Sequence, residues 1–365
     1  MATSDYERSG VKGQGEALSS VDKHLLKTFS FPEGAEVLTS FGGFASVIRL
    51  TPDLALAMCT DGVGSKTVVA SALDRYDTVG HDCVAMNVND LVCVGASPLA
   101  LVDYIGVHTL DERRMDEMLQ GLAAAAELAG IAIPGGEIAQ LPDVIGSDGR
   151  APGDERAFDL VGTAVGTLHP GRVITGSSIA PGDALIGLAS SGLHSNGYTL
   201  ARRVLLGGAG MRLDDHVAEL GRTLGEELLE PTRIYVRAAR SLWNVGIDTK
   251  GIVHITGDGF ANLCRLDAAC GYRLDNLPEP QAIFRLIQER GDIPEAEMYR
   301  VFNMGTGLVV VVAQDEASKA LEAASAAGYP ARRIGTVSDR DGEVTICGPG
   351  LRGGLKAGES YFEAI

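Results

Sequence analysis

Leu54-Ala-Leu-Ala-Met-Cys-Thr-Asp-Gly-Val-Gly-Ser-Lys66 sets a strand-sized apolar run directly against an acidic loop broken by glycines. The arrangement recurs. Gly135-Gly136-Glu137 follows Ile131 to Ile133, Ser190-Ser-Gly-Leu-His-Ser-Asn-Gly197 follows Ala184 to Leu188, and Thr256-Gly-Asp-Gly259 follows Ile252 to Ile255. Asn303-Met-Gly-Thr-Gly307 precedes the apolar run Leu308 to Ala313, and Ser40-Phe-Gly-Gly-Phe44 forms a sixth group. Glycine in such clusters marks sharp turns or close approach of backbone to a ligand. Helical patterns lie between the strands. Met115, Met118, Leu119, Leu122 and Ala126 share one face of a helix spanning Asp111 to Gly130, with Asp111 or Thr109 as its cap and Gly130 at its end. A second helix is expected over Glu316 to Ala327, followed by a strand over Arg333 to Val337. Strands alternating with helices in both halves predict an α/β (α+β) fold with mixed sheets. A boundary fits at Leu168-His-Pro-Gly171, giving domains over 1–170 and 171–345 and a glycine-rich surface tail over 346–365.

At 365 residues, 45% hydrophobic and 22% charged, the chain carries enough apolar material for two cores. Its net charge of −17 would repel nucleic acid and anionic membranes, so neither is an expected partner. No apolar run reaches membrane-spanning length, and the first residues lack the apolar stretch of a secretion signal. The six cysteines include no C-x-x-C pair and read as reduced thiols of a cytoplasmic protein.

Thr60-Asp-Gly-Val-Gly-Ser-Lys-Thr67 fails as a Walker A loop, because Asp61 stands where the first glycine belongs and Ser65 precedes the lysine. A carboxylate, a Gly-x-Gly and a lysine within six residues still suit a Mg²⁺-bridged polyphosphate, with Asp61 on the metal and Lys66 on an oxygen. A surface hairpin with a solvated Asp and Lys is the plainer alternative. Asn87-Val-Asn-Asp90 sits among Ala85, Met86, Val88 and Leu91, so its polar side chains need partners. Mg²⁺ ligation, chiefly by Asp90, would supply them; helix capping would too. Glu137 offers a third carboxylate. His254 ends an apolar strand before a glycine turn, a suitable place for a general acid or base. No hydrolase triad and no basic–aromatic interleaving is readable.

Taken in order, Thr60–Lys66, Asn87–Asp90, Gly135–Glu137, Ser190–Tyr198, Pro231-Thr-Arg-Ile-Tyr235, His254-Ile-Thr-Gly257 and Glu297-Met-Tyr-Arg-Val-Phe-Asn-Met-Gly305 resemble the phosphoribosylformylglycinamidine cyclo-ligase (AIR synthetase) family, from about Tyr6 to Val337. The resemblance implies two α/β domains, with the N-terminal domains of a homodimer closing a barrel. It also implies ATP-dependent ring closure of formylglycinamidine ribonucleotide through an iminophosphate. On this reading His254, Lys23 and Asp61 are catalytic, and Asp61, Asp90 and Glu137 hold Mg²⁺. Gly42, Gly43, Gly62, Gly64, Lys66, Asn87, Ser191, His194, Ser195, Asn196, Thr256 and Gly257 bind nucleotide or phosphate. Ile138 and Gln140 stand where a threonine and a glutamate are usual in that family, and Asp258 replaces a third glycine. Ile145 to Glu155 reads as an insertion, and the tail after Asp341 has no obvious counterpart. Thiamine-monophosphate kinase-like and hydrogenase-maturation-like readings are disfavoured by the missing Gly-Asp-Asp and by the Phe-Glu-Ala-Ile365 ending. Selenophosphate synthetase is disfavoured too, since no cysteine precedes Cys59. A nucleotide-binding paralogue without chemistry is the remaining alternative.

Overall fold

The computed structural model describes Arg8, Ser20, Val21 and residues 23–146, 154–356 and 358–365. The centre of the expected insertion, residues 147–153, and most of the segment leading to Lys23 therefore lie outside the described residues.

The N-terminal half is built on β1 (Glu36–Val37), β2 (Ser46–Arg49), β3 (Ala55–Gly62), β4 (Ser97–Val107), β5 (Ala132–Gln140) and β6 (Phe158–Leu168). They form one sheet in the order β1-β2-β3-β6-β4-β5, parallel only between β4 and β5. Three helices accompany it, α1 (Thr67–Leu73), α2 (Val79–Cys93) and α3 (Glu112–Ala129). Inward residues alternate along the central strands as a half-buried sheet requires, with Leu101 and Ile105 of β4 and Leu160 and Ala164 of β6 fully enclosed. Helix α2 lies across them and buries most of its own circumference, Val84, Val88 and Leu91 included.

Helix α3 covers α2 in turn. Asp111 caps α3 by accepting from Arg114 N at 2.9 Å, and Gly130 ends it at φ +69°, both as the sequence predicts. The two helices cross with backbones in contact. A Cβ on Gly80 would lie 2.3 Å from Met118 O, and one on Gly121 2.2 Å from Asp77 O.

The other face of this sheet is bare. Leu99, Val102, Tyr104 and Ile138 are 56%, 45%, 38% and 48% exposed, and no described element covers them. Gly135-Gly136-Glu137 is not a loop after a strand but the middle of edge strand β5.

The C-terminal half holds β7 (Ala184–Ala189), a short ribbon of β8 (His216–Val217) and β9 (Arg222–Thr223), β10 (Gly251–His254), β11 (Gly271–Leu274), β12 (Thr306–Val312), β13 (Ala331–Ser338), β14 (Val344–Ile346), β15 (Leu351–Lys356) and β16 (Glu359–Ala364). Its main sheet runs β10-β12-β7-β13-β11-β14-β15-β16. Strand β12 is buried at every residue, which is why its sequence is an unbroken apolar run. The expected surface tail is instead the strand pair β15–β16, hydrogen-bonded into this sheet, with Leu351 buried. No helix among the described residues is long and apolar enough to cross a membrane.

Candidate active-site cleft

Helix α2 carries polar residues at spacings that reach the other domain. Asp82, Asn89 and Asp90 stand at i, i+7 and i+8, along one side of a helix. Asp82 Oδ1 accepts from Thr232 N at 2.8 Å and from Thr232 Oγ1 at 2.6 Å. Asn89 Nδ2 donates to Arg233 O at 2.9 Å, while its Oδ1 accepts from Tyr235 N at 2.8 Å. Asp90 Oδ1 lies 2.9 Å from His254 Nδ1. One rigid element thus fixes the segment Thr232–Tyr235 and the end of β10 together.

Asn87 faces the sheet instead. Its Nδ2 donates to Asp61 O at 3.0 Å and to Cys83 O at 2.9 Å, so it supports the strand that bears Asp61 and has no place in the cleft. Both asparagines find protein partners, which leaves Asp90 as the open carboxylate of the three polar residues.

Asp61 and Asp90 line one cleft between the domains, of about 860 Å³. Burial pushes the Asp61 carboxyl up from its ordinary 3.8 to about 6, with the charge of Asp90 adding and the bond from its neighbour Gly62 N opposing. Gly42, Gly43, Asn196, Thr256 and Gly257 share the lining, so seven of the expected residues are brought together. The Nδ2 of Asn196 is buried there without a protein acceptor.

His254 lies behind this wall. Its ring is fully buried, with Nδ1 on Asp90 and Nε2 3.5 Å from Asn89 Nδ2. It therefore holds Asp90 and does not itself line the cleft.

Lys66 is also displaced from its expected place on a phosphate. Its ammonium is fully buried, 2.7 Å from Asp82 Oδ2, and donates to Glu230 O at 2.6 Å and His194 O at 3.2 Å. Three donors meet three acceptors, and none is directed to the cleft. Burial lowers its pKa, against the opposing pull of Asp82.

The loop Ser190–Gly197 packs on the loop Asp61–Lys66. Ser195 Oγ donates to Val63 O at 3.0 Å, the Ser65 and Thr199 hydroxyls pair at 3.0 Å, and Ser191 Oγ donates to Pro231 O at 2.6 Å. Gly64, at φ +69°, would bring a Cβ within 3.9 Å of Ser195 O. Gly62 ends β3 beside Val161. Both serine hydroxyls are thus turned inward to protein carbonyls. His194 is buried at φ +62° with Nε2 accepting from Ser191 N at 3.3 Å. Burial, and the nearby cations after it, hold its pKa well below the ordinary value, so it is neutral. Gly307 lets the ring sit there, since a Cβ would lie 2.5 Å from His194 Cε1.

Lys23 and Glu137 do not join the cleft of the single chain. Lys23 is exposed. Glu137 pairs with Tyr104 in the β4–β5 register, on the bare face of the sheet, whereas Asp103 and Gly136 share the face of Asp61. Strand alternation explains the separation: a residue next to the inward Gly136 must point outward.

Sequence reading missed Asp82, Arg265 and Ser360, and gave Thr232 no role beyond its place in Pro231-Thr-Arg-Ile-Tyr235. Arg265 lines the cleft and binds Asp258 at 2.7 Å. The only trace in the sequence was the unusual Asp258 itself.

The family model described as "AIR synthase related protein, N-terminal domain" matches residues 42–168, and its C-terminal counterpart matches 180–348. The phosphoribosylformylglycinamidine cyclo-ligase of Methanothermobacter thermautotrophicus is 48% identical over 93% of this chain and 96% of its own. That of Pyrococcus furiosus is 44% identical over the same shares, 93% and 96%. Among solved structures, the HypE–HypF complex aligns with TM-score 0.61 at 17% identity, covering 95% of this chain and 99% of that one. AaThiL complexed with AMPPCP and TMP aligns with TM-score 0.61 at 14% identity, covering 96% and 97%. At such identities these two likenesses speak for the fold alone.

Proposed function

This chain belongs to the phosphoribosylformylglycinamidine cyclo-ligase family, and on that premise we propose that its cleft closes formylglycinamidine ribonucleotide to 5-aminoimidazole ribonucleotide with consumption of ATP, as a ligase of purine biosynthesis. The observation that carries the reading is the pair Asp61–Asp90 facing one interdomain cleft. In the reaction the formyl oxygen attacks the γ-phosphorus and ADP departs. The amidine nitrogen then attacks the resulting iminophosphate carbon, phosphate leaves and a proton is lost. An amide-type oxygen is a poor leaving group, and phosphorylation makes it a good one.

Mg²⁺ fits the donors present. Two carboxylates with oxygen donors suit it, and it ordinarily completes its shell with water and substrate phosphates. The absence of any group of three or more His, Cys, Asp or Glu among the described residues is compatible with that habit. When bound, the ion supplies neutralisation of phosphate charge. Asp61 and Asp90 would hold it, His254 orients Asp90, and the free amide of Asn196 offers a donor to an oxyanion. The glycines 42, 43 and 257 allow backbone to come close to the substrates.

The bare apolar face of β4 and β5 fits a second copy of this chain, whose sheet would close the barrel. Glu137 shares that face, so a part in metal binding would require the second copy. A cytoplasmic enzyme of nucleotide synthesis is consistent with this chemistry.

The test is an ADP-release assay with Mg-ATP and formylglycinamidine ribonucleotide, read together with the Bratton–Marshall colour of the aminoimidazole. Equal amounts of ADP and coloured product are expected. ADP without colour would assign another acceptor, and no ADP would overturn the reading in favour of a nucleotide-binding paralogue.

A further inference from the structure

The strand pair β15–β16 begins beyond residue 348, where the match to the family model ends. It is firmly seated. Its register runs from Leu351↔Ala364 to Lys356↔Glu359, and it packs on the 3₁₀ helix Gly259–Arg265 and the helix Glu295–Val301. Close backbone contacts fix it: a Cβ on Gly354 would lie 2.4 Å from Gly342 O. Leu355, Gly358, Glu359 and Ser360 form part of the wall of the cleft that holds Asp61 and Asp90.

Ser360 Oγ donates to Asp258 Oδ1 at 3.1 Å, and Arg265 Nη2 donates to Asp258 Oδ2 at 2.7 Å. Asp258 shares the cleft wall, and both of its carboxylate oxygens are engaged by these protein donors, which lessens the repulsion a bare carboxylate there would exert on a phosphate. The Arg265 guanidinium also lies over the Phe44 ring, 5.5 Å from its centroid, and Phe44 extends the Gly42-Gly43 turn of the opposite domain. Among the described contacts only Nη2 meets a protein acceptor, which leaves most of the five N–H donors of the guanidinium for a ligand. A planar fork with spare donors, beside carboxylates placed for a metal, suits phosphate oxygens.

We infer that Ser360, acting through Asp258, positions Arg265 to bind a phosphate group in the cleft, so that the C-terminal strand pair is part of the substrate site. This rests on the phosphoryl-transfer reading above and adds a residue chain to it. Ser360 and Asp258 are positioning residues, and Arg265 is the group that touches the ligand. The phosphate belongs either to ATP or to the ribonucleotide.

The experiment compares wild type with Ser360→Ala, Ser360→Thr and Arg265→Ala. Steady-state kinetics give KM for each substrate, and titration calorimetry gives the affinity for inorganic triphosphate with Mg²⁺. Ser360→Ala is expected to raise one KM about three- to tenfold, with a smaller change in kcat, and to lower triphosphate affinity to match when that KM is the one for ATP. Arg265→Ala should do more, and Ser360→Thr, which keeps the hydroxyl, should restore most of the loss. A rise in KM for ATP assigns the nucleotide phosphate; a rise for the ribonucleotide assigns the ribose phosphate. If Ser360→Ala lowers the thermal midpoint but leaves both KM values and triphosphate affinity within twofold, the strand pair is packing alone and the inference is overturned. The calorimetric arm needs no turnover, so it separates this failure from a failure of the ring-closure assignment.

Discussion

Lys66→Met separates two accounts of the Asp61–Lys66 loop. As a phosphate ligand, Lys66 would contribute to ATP binding and little to folding. In the structure its ammonium is fully buried on Asp82 and on the carbonyls of His194 and Glu230. Removing it leaves Asp82 charged and buried, with only Thr232 donating to it. Breaking a buried pair from one side costs about 3–5 kcal/mol, because the partner is left uncompensated. The double variant Lys66→Met/Asp82→Asn keeps an acceptor for Thr232 and leaves no unpaired charge, so it should recover part of that loss. Urea unfolding followed by the fluorescence of Trp243, the single tryptophan, measures both. At low temperature the surviving folded enzyme should keep its KM for ATP within about threefold, since no direct ligand contact is removed. A variant within about 1 kcal/mol of wild type whose KM for ATP rises a hundredfold would refute this account and return Lys66 to the phosphates.

Asp61, held near 6 instead of 3.8, binds a proton more tightly folded than unfolded. Its contribution to stability is therefore present below pH 3.8 and lost as pH rises through about 6. Asp61→Asn should flatten that part of the metal-free stability profile, measured by urea midpoints across pH, and in wild type Mg²⁺ affinity should fall below about pH 6. His254→Ala should lower activity about 10- to 100-fold and raise the Mg²⁺ concentration for half-maximal rate, as expected of a residue that orients a metal ligand. An unchanged Mg²⁺ requirement with an altered pH–rate profile would make it a proton carrier instead. Val102→Arg, on the bare face of β4, should convert a dimer to monomers in sedimentation velocity; a wild type that sediments as a monomer would remove that assignment.

Much of this arrangement was legible because chemistry and pattern coincided. Asp111 and Gly130 bracket α3 where capping chemistry demands, and Leu308 to Val312 could only be a strand buried on both faces. Asp61, Asn196, Thr256 and Gly257 fell together because each ends or follows a strand at the same mouth, and Asp90 joins them from helix α2. Lys66 was misleading for a physical reason: a lysine after Gly-x-Gly looks solvated unless its partner Asp82, 16 residues on in the chain, is known to be buried beside it. Glu137 was misleading because periodicity does not say which face of β5 is inward until its register with β4 is fixed. The glycines of 348–358 suggested looseness, yet Gly353 and Gly354 allow backbone to approach where a Cβ would collide. His254 and Asn87 were recognised as special, and in the structure they bond to Asp90 and to the strand that bears Asp61.

The bonds from Asp82, Asn89 and Asp90 to Thr232, Arg233, Tyr235 and His254 also bear on how such a chain can change over evolutionary time. Each half has its own sheet, but the joint between them is written in both. A chimera that takes its first half from one relative and its second from another would keep both sheets and still misplace Asp90, unless the residues meeting α2 were exchanged with it. Recombination at the obvious boundary near residue 170 is therefore constrained by a lock some 60 residues downstream, and the two halves are expected to have diverged as a matched pair.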